Sequence, residues 1–458
     1  MLHELRFRRI SLRGFQNHRA NVEVTSRSSG VKYLLAKGGV LLGTLLMTLG
    51  PSSAKAAFPT EFNLDKAVDL AVTANPLVGV ARSNLEFAAS NKEQAQWQKY
   101  PSVSALSERR IGGGSDGLTF RIDQPVWTGG RLDAEINSAE SRRVAASWSV
   151  DESRYELATR VVAAWRSLLA AHALAAADAL AIYRLQGYKS MIERRIEADI
   201  SPVIDVQLVN ARLLQARLDR AASLTQVTLA LERLAQLTGA PVDRAIAEQM
   251  LSLDEQQQSA VASFPSVESS SLRGYVDRHP AILRAAAEAQ AAALDIKVAE
   301  SRRFPDLVAR YQHQSGSGLQ TSQGGVYMVL NYQSGAGLSV VAQAKAAAAR
   351  YNAQLQSVDV ARQEISEAIF VDIEEYRDAL NREGFLRAAI EKSGLVLDSY
   401  ARLFVAGRRN WLDLLNAARE LSQNERALAP VRAQIIASSY LVRLRLGQLP
   451  WQRPESAE

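Results

Sequence analysis

Two aspartates, Asp205 and Asp413, stand 208 residues apart, each just past a turn and at the head of an apolar-periodic run. A carboxylate in that place caps a helix or sits favourably against the positive end of its dipole. Catalysis would need a base, a nucleophile or a metal beside it, and the rest of the chain offers little. There is no HExxH and no Walker loop. The run Gly112-Gly113-Gly114-Ser115-Asp116-Gly117 lacks the Gly-Lys-Ser/Thr of a phosphate loop and reads as a hairpin tip. The five histidines, His3, His18, His172, His279 and His313, include no two at ligand spacing. Cysteine is absent, which removes disulfides and thiolate sites. Asp372, Glu374 and Glu375 lie on an Arg-rich helical face, the usual setting of solvated or salt-bridged charge. No catalytic residue, metal or cofactor is expected, and the chain does not read as an enzyme.

What surrounds the two aspartates is written twice. Pro76 and Pro280 are 204 residues apart, as are Tyr100-Pro101 and Phe304-Pro305; Gly239 and Gly447 share the 208 offset of the aspartates. Two pairs at each offset imply a duplication with one small insertion. Leu64 to Gln98 is a helical pattern opened by Asn63, a good N-cap, and closed at Tyr100-Pro101, because proline disfavours helix in the residue before it. The period then falls to two. Leu118, Phe120 and Ile122 alternate with Thr119, Arg121 and Asp123. In the second copy Leu307, Ala309 and Tyr311 alternate with Val308, Arg310 and Gln312. Val326, Met328, Leu330 and Tyr332 do so with Tyr327, Val329 and Asn331. Each run is about the 9–11 residues that a tilted strand needs to cross a bilayer.

The remainder predicts long helices. No proline interrupts residues 131–196 or 338–404, and a continuous helix of ~60 residues runs ~90 Å at 1.5 Å per residue. Val206, Val209, Leu213 and Ala216 make a 3–4 spaced seam for a neighbouring helix. Leu224, Val227, Leu231 and Leu234 repeat it after a slip at Arg220. Arg212, Arg217 and Glu232 fall on solvated faces, and the Ala-rich run 344–349 allows close helix approach. Turns are expected at 198–202 and 406–410. The organisation is a leader at 1–56, a first repeat at 57–240, a polar linker at 241–271, a second repeat at 272–448 and a tail at 449–458. Each repeat reads helix, strand, strand, long helix, turn, long helix.

The formal charge of +6 is concentrated at one end. Residues 1–56 carry nine Lys or Arg against Glu4 and Glu23, a net of +7, which leaves −1 for the rest. A nucleic-acid partner is therefore not expected. Lys32 and Lys37, the apolar stretch Gly38 to Leu49 and Ala54-Lys55-Ala56 read as a cleaved secretory signal, with Ala57 as the mature N-terminus. About 12 apolar residues fall short of the ~20 of a spanning helix, and no later segment has ~18 consecutive apolar residues. Residues 1–30 are unlike a signal, and translation is expected to begin near Val31.

Four membrane-length strands leave two edges whose N–H and C=O groups would be unpaired in lipid, at several kcal/mol each. Other copies must pair them. Three copies give twelve strands and two give eight, and either could close.

With this order of elements the chain resembles the TolC-family outer-membrane factors, from Phe62 to Gln448. Gln124-Pro125-Val126-Trp127-Thr128-Gly129-Gly130-Arg131 is similar to that family's strand-to-helix signature, and Asp205-Val206-Gln207 and Leu234-Ala235-Gln236-Leu237-Thr238-Gly239 to its helices. The resemblance implies an α+β membrane channel of the Gram-negative outer membrane. It would be a homotrimer sharing one twelve-stranded transmembrane barrel set in outer-membrane lipid. A coiled-coil helical tunnel would cross the periplasm to a periplasmic adaptor (a membrane fusion protein) and an inner-membrane transporter. It implies a tunnel closed by inward-coiling helices around an acidic ring. On that basis Asp413 falls on a gate carboxylate, Asp205 on its partner in the other half, Arg409 on a gate-bonding arginine and Phe404 on a gate aromatic. Phe404 lacks that aromatic's hydroxyl, and Asn416 stands where a second carboxylate is common. Asn331-Tyr332-Gln333-Ser334-Gly335-Ala336-Gly337-Leu338 resembles a variant associated with secretion of large adhesins. The implied function is a duct for type I secretion or efflux. The rival is a periplasmic coiled-coil adaptor bridging a pump to a separate channel, and such an adaptor has no need of four amphipathic strands.

Overall fold

The computed structural model describes residues 63–108, 117–240, 252–265, 272–316, 323–333, 335 and 339–452. The leader and signal, the glycine-rich tip at 112–116, parts of the linker and tail, and Ser334, Ala336, Gly337 and Leu338 lie outside the described residues.

In chain order the elements are α1 Leu64–Ala74, α2 Pro76–Trp97, β1 Ser102–Glu108, β2 Gly117–Trp127, α3 Arg131–Glu197, α4 Ile204–Thr238, α5 Leu253–Ala262 and α6 Leu272–Val276. They continue with α7 Pro280–Ser301, β3 Asp306–Gly316, β4 Gln323–Asn331, α8 Ser339–Val405, α9 Trp411–Arg445 and a 3-10 turn at Pro450–Gln452. Lengths recur in pairs: 22 residues in α2 and α7, 67 in α3 and α8, 35 in α4 and α9. At 1.5 Å per residue the long pair reach about 100 Å.

The expected single helix from Leu64 to Gln98 is two. Asn63 caps the first, accepting from Lys66 N at 2.9 Å, but the helix breaks at Asn75. Pro76 pushes Asn75 to φ −70°, ψ 135°. The Asn75 side chain then caps α2 through Leu77 N (2.9 Å) and donates to Leu237 O at the end of α4 (2.8 Å). His279-Pro280 repeats the device, with His279 Nδ1 accepting from Ala281 N at 3.3 Å. The linker also departs from expectation. Its Gln256-Gln257-Gln258 lies in α5, which docks on α9 through Ser439 Oγ to Ala260 O (2.7 Å) and buries Gln257 against Glu383 and Arg432.

The strands form one antiparallel sheet in the order β1-β2-β3-β4. The two hairpins are joined by β2 and β3, so β1 and β4 are free edges. Of β1, seven residues are described, fewer than the expected span. A register shift between Pro125 and Trp127 accommodates the proline, which has no N–H to donate. The chain then turns through Gly129 and Gly130, at φ +60° and +84°, into α3. A Cβ on Gly129 would lie 3.0 Å from the Phe304 side chain, so glycine is required there both for conformation and for space.

Helix packing runs the length of the molecule. α3 pairs with α4 and α8 with α9, α3 also touches α9, and α7 of the second half fits between α3 and α8. The largest core joins Val68 and Val72 of α1, Val161, Trp165 and Leu168 of α3, Val227, Leu231 and Leu234 of α4, and Ile436 and Tyr440 of α9. Val209, Leu213, Val227, Leu231 and Leu234 of the expected seam are buried, while Arg217 and Glu232 are exposed. α3 also holds a window apolar enough, by length and composition, to cross a membrane, with a mean hydropathy of 1.4. Its Val161, Val162, Leu168 and Leu169 are instead buried among helices.

His279 supplies a pH test of this core. Burial, with Arg445 nearby, lowers its pKa from 6.5 to about 4. Between those values the unfolded chain binds a proton that the folded chain does not, so stability rises with pH across the window. The difference is on the order of 3 kcal/mol. His279→Asn keeps a capping side chain, as Asn75 does in the first half. It is expected to flatten the pH 4–6.5 slope in denaturant titrations; an undiminished slope would refute the assignment.

Candidate channel surfaces and gate

Cross-strand partners share a face of an antiparallel sheet, so the register sorts every strand residue. One face carries Val103, Ala105, Leu118, Phe120, Ile122, Leu307, Ala309, Tyr311, Val326, Met328 and Leu330. Nine of the ten strand residues singled out above are in that set; Tyr332 falls one position beyond β4. The face is uncovered: Val326 is 76%, Met328 60% and Leu330 66% exposed. The opposite face holds Ser104, Thr119, Arg121, Asp123, Asp306, Arg310, Gln312 and Gln314. There Arg310 grips Asp123 with Nε at 2.6 Å and Nη2 at 2.9 Å. An apolar outer face with a charged inner one is the pattern of a strand between lipid and water.

At the far end of the 67-residue helices the two turns come together. Ile192, Val209, Leu397, Phe404, Trp411, Leu414 and Leu415 form one buried cluster. α4 starts at Ile204 and α9 at Trp411, so Asp205 and Asp413 are both in a first helical turn. Neither is the cap. Asn410 caps α9, accepting from Asp413 N at 2.8 Å, and Val203 precedes α4 without a side-chain bond. The Asn-x-x-Asp spacing at 410–413 was the sequence signal for this. Arg409 Nη1 meets Asp413 Oδ2 at 3.2 Å, and its guanidinium lies over the Tyr400 ring at 4.6 Å. Burial raises the Asp205 carboxyl above its ordinary pKa. Arg409, Leu412 and Asn416 are exposed, with Asp413 half-buried between them, so one side of the turn presents the polar set together. Phe404 does not join it. Its ring is buried 5.3 Å from that of Trp411, beneath the Arg195 guanidinium at 4.7 Å. A phenylalanine needs no hydroxyl there, because the position is a packing one.

Sequence reading missed a polar cluster higher up. Buried Asp178 of α3 accepts from Ser223 Oγ of α4 (2.9 Å) and pairs with Arg426 of α9. Nearby, Arg184 makes a double bond set with Glu425, 2.6 Å for each contact. Partners 241 or 248 residues apart leave no local trace. Asp372 likewise pairs with Arg445. No group of three or more metal-ligating side chains occurs among the described residues. Gly113-Gly114-Ser115-Asp116-Gly117 spells Gly-x-Ser-x-Gly, but it joins strand to strand, whereas a nucleophile elbow joins strand to helix.

No family model and no curated protein matches the chain. Solved structures do. The outer membrane protein VceC of Vibrio cholerae aligns with a TM-score of 0.70 at 18% identity, over 84% of this chain and 96% of that one. The outer-membrane channel OprN gives 0.72 at 19% identity, over 86% and 91%. The MtrE outer membrane channel of Neisseria gonorrhoeae, in its open state, gives 0.68 at 17%, over 84% and 89%. The chain therefore has the fold of the TolC-type outer-membrane channels.

Proposed function

We propose that this chain is one protomer of a homotrimeric channel-tunnel in a Gram-negative outer membrane. It carries substrate across the periplasm and outer membrane for a tripartite efflux or type I secretion system, alongside an adaptor and an inner-membrane transporter. The observation that carries the reading is the four-stranded sheet, with two free edges and an uncovered apolar face, at the head of 100 Å helices. Three copies pair every edge and give twelve strands. The equal element lengths support two duplicated halves, each contributing one hairpin to the barrel and one helical turn to the tip. The leader, with its signal, directs export. The experiment is detergent extraction followed by native mass spectrometry and planar-bilayer recording. A conducting trimer is expected; a monomer released from membranes by salt would end the reading.

At the tip, three symmetry-related copies of Asp413 would repel one another, raise their pKa values and attract cations. Divalent cations added on the tip side are expected to block conductance, and Asp413→Ala to weaken that block about tenfold. Arg409, bound to Asp413, tempers its charge, so Arg409→Ala should strengthen the block. Equal block in wild type and Asp413→Ala would remove Asp413 from the gate.

Cargo is read from a deletion strain. Loss of one large protein from the supernatant or cell surface marks type I secretion. An unchanged profile with raised drug sensitivity marks efflux.

A further inference from the structure

We propose that Arg121 gives the barrel an anion preference, which makes anionic or acidic cargo the class that passes it most readily. The inference rests on the channel reading above and concerns a residue that reading does not use. Arg121, Asp123, Asp306 and Arg310 are all on the polar face by register. Both carboxylates are taken. Asp123 is held bidentately by Arg310, and Asp306 by Arg131 of α3 at 2.9 Å. Arg121 sits between Ser104 of β1 and Gln312 of β3, neither of which can neutralise it. It has no ion pair or hydrogen bond among the described residues, and its Nε is buried without a partner. The polar face thus keeps one uncompensated positive charge per protomer, and a closed trimer would keep three.

Position strengthens the effect. Arg121 is the fifth of eleven residues in β2, at the middle of the segment that crosses the bilayer. A charge ring inside low-dielectric walls focuses its field along the pore. The tip carboxylates cannot cancel it. They lie about 100 Å away along α3, many times the ~10 Å Debye length at 0.1 M salt. The two ends of the duct then have opposite preferences, cations at the tip and anions in the barrel.

The test is the reversal potential of the full-length mature protein in planar bilayers under a KCl gradient. Arg121→Gln should lower the chloride-to-potassium permeability ratio about threefold, and Arg121→Lys should preserve it. The double variant Asp123→Asn/Arg310→Gln removes charge without changing the net and should leave the ratio as it was. In unsubstituted protein the ratio should fall towards unity as KCl rises from about 0.05 to about 1 M, because screening shortens the field. A conducting channel whose ratio ignores both Arg121→Gln and salt overturns this inference and leaves the channel reading standing. Failure of every form to conduct overturns the channel reading and this inference with it.

Discussion

Met328→Arg is expected to abolish assembly into the outer membrane, while Val329→Arg, one residue on, leaves a trimer that still inserts. The contrast follows from register alone. Met328 pairs with Ala309 and shares the uncovered apolar face with Val326 and Leu330; Val329 pairs with Val308 on the face of Arg310 and Asp306. An arginine on the lipid face near the bilayer midplane costs about 2–4 kcal/mol, and a trimer carries that cost three times. On the other face water solvates the guanidinium and Asp306 is within reach of a diagonal pair. Membrane fractionation and gel mobility of the unheated trimer report both variants. If Val329→Arg fails and Met328→Arg inserts, the faces are reversed. If both fail alike, the sheet does not divide lipid from water.

The second large effect belongs to the tip. Trp411 is 4% exposed, packed against Phe404 and against Tyr188 with ring centroids 6.3 Å apart. Its Nε1 is buried without a hydrogen-bond partner, so its contribution is packing. Trp411→Ala removes the centre of the cluster that holds α3, α4, α8 and α9 together and should cost about 3–5 kcal/mol. Amides around 404–415 should lose protection from hydrogen exchange by a hundredfold or more, and the closed tip should leak current. Asn416→Asp, on the exposed side of the same turn, should change stability by no more than about 0.5 kcal/mol. Protection unchanged in Trp411→Ala would show that the tip is held elsewhere.

The long elements were legible because proline and period mark them. The 131–196 and 338–404 runs lie within a residue or two of α3 and α8, and the strand alternation predicts which side chains share a face. The Asn75 break was written in Pro76, but the apolar pattern continues across it and hides the corner. α5 was missed because its face is read by distant partners. Gln257 belongs in a core only because Glu383 and Arg432 meet it there. Phe404 shows the same limit at the candidate gate. A family position gives the neighbourhood of a side chain, while its direction depends on the four helices that converge at the tip. Arg121 was visible as one more polar residue of an alternating strand. Its lack of a partner depends on Asp123 being claimed by a residue 187 positions later.

The equality of the two 67-residue helices constrains how such a chain can change over evolutionary time. Inserting one residue in α3 alone would turn everything beyond it by about 100° and advance it about 1.5 Å. Ile192 would leave the cluster it shares with Val209 and Trp411, and the first hairpin would end out of step with the second. The pair behaves as a ruler with two edges. Descendants can lengthen it only by matched additions of about seven residues in both long helices and in the shorter helices that accompany them, so the depth of the periplasm is inherited in steps.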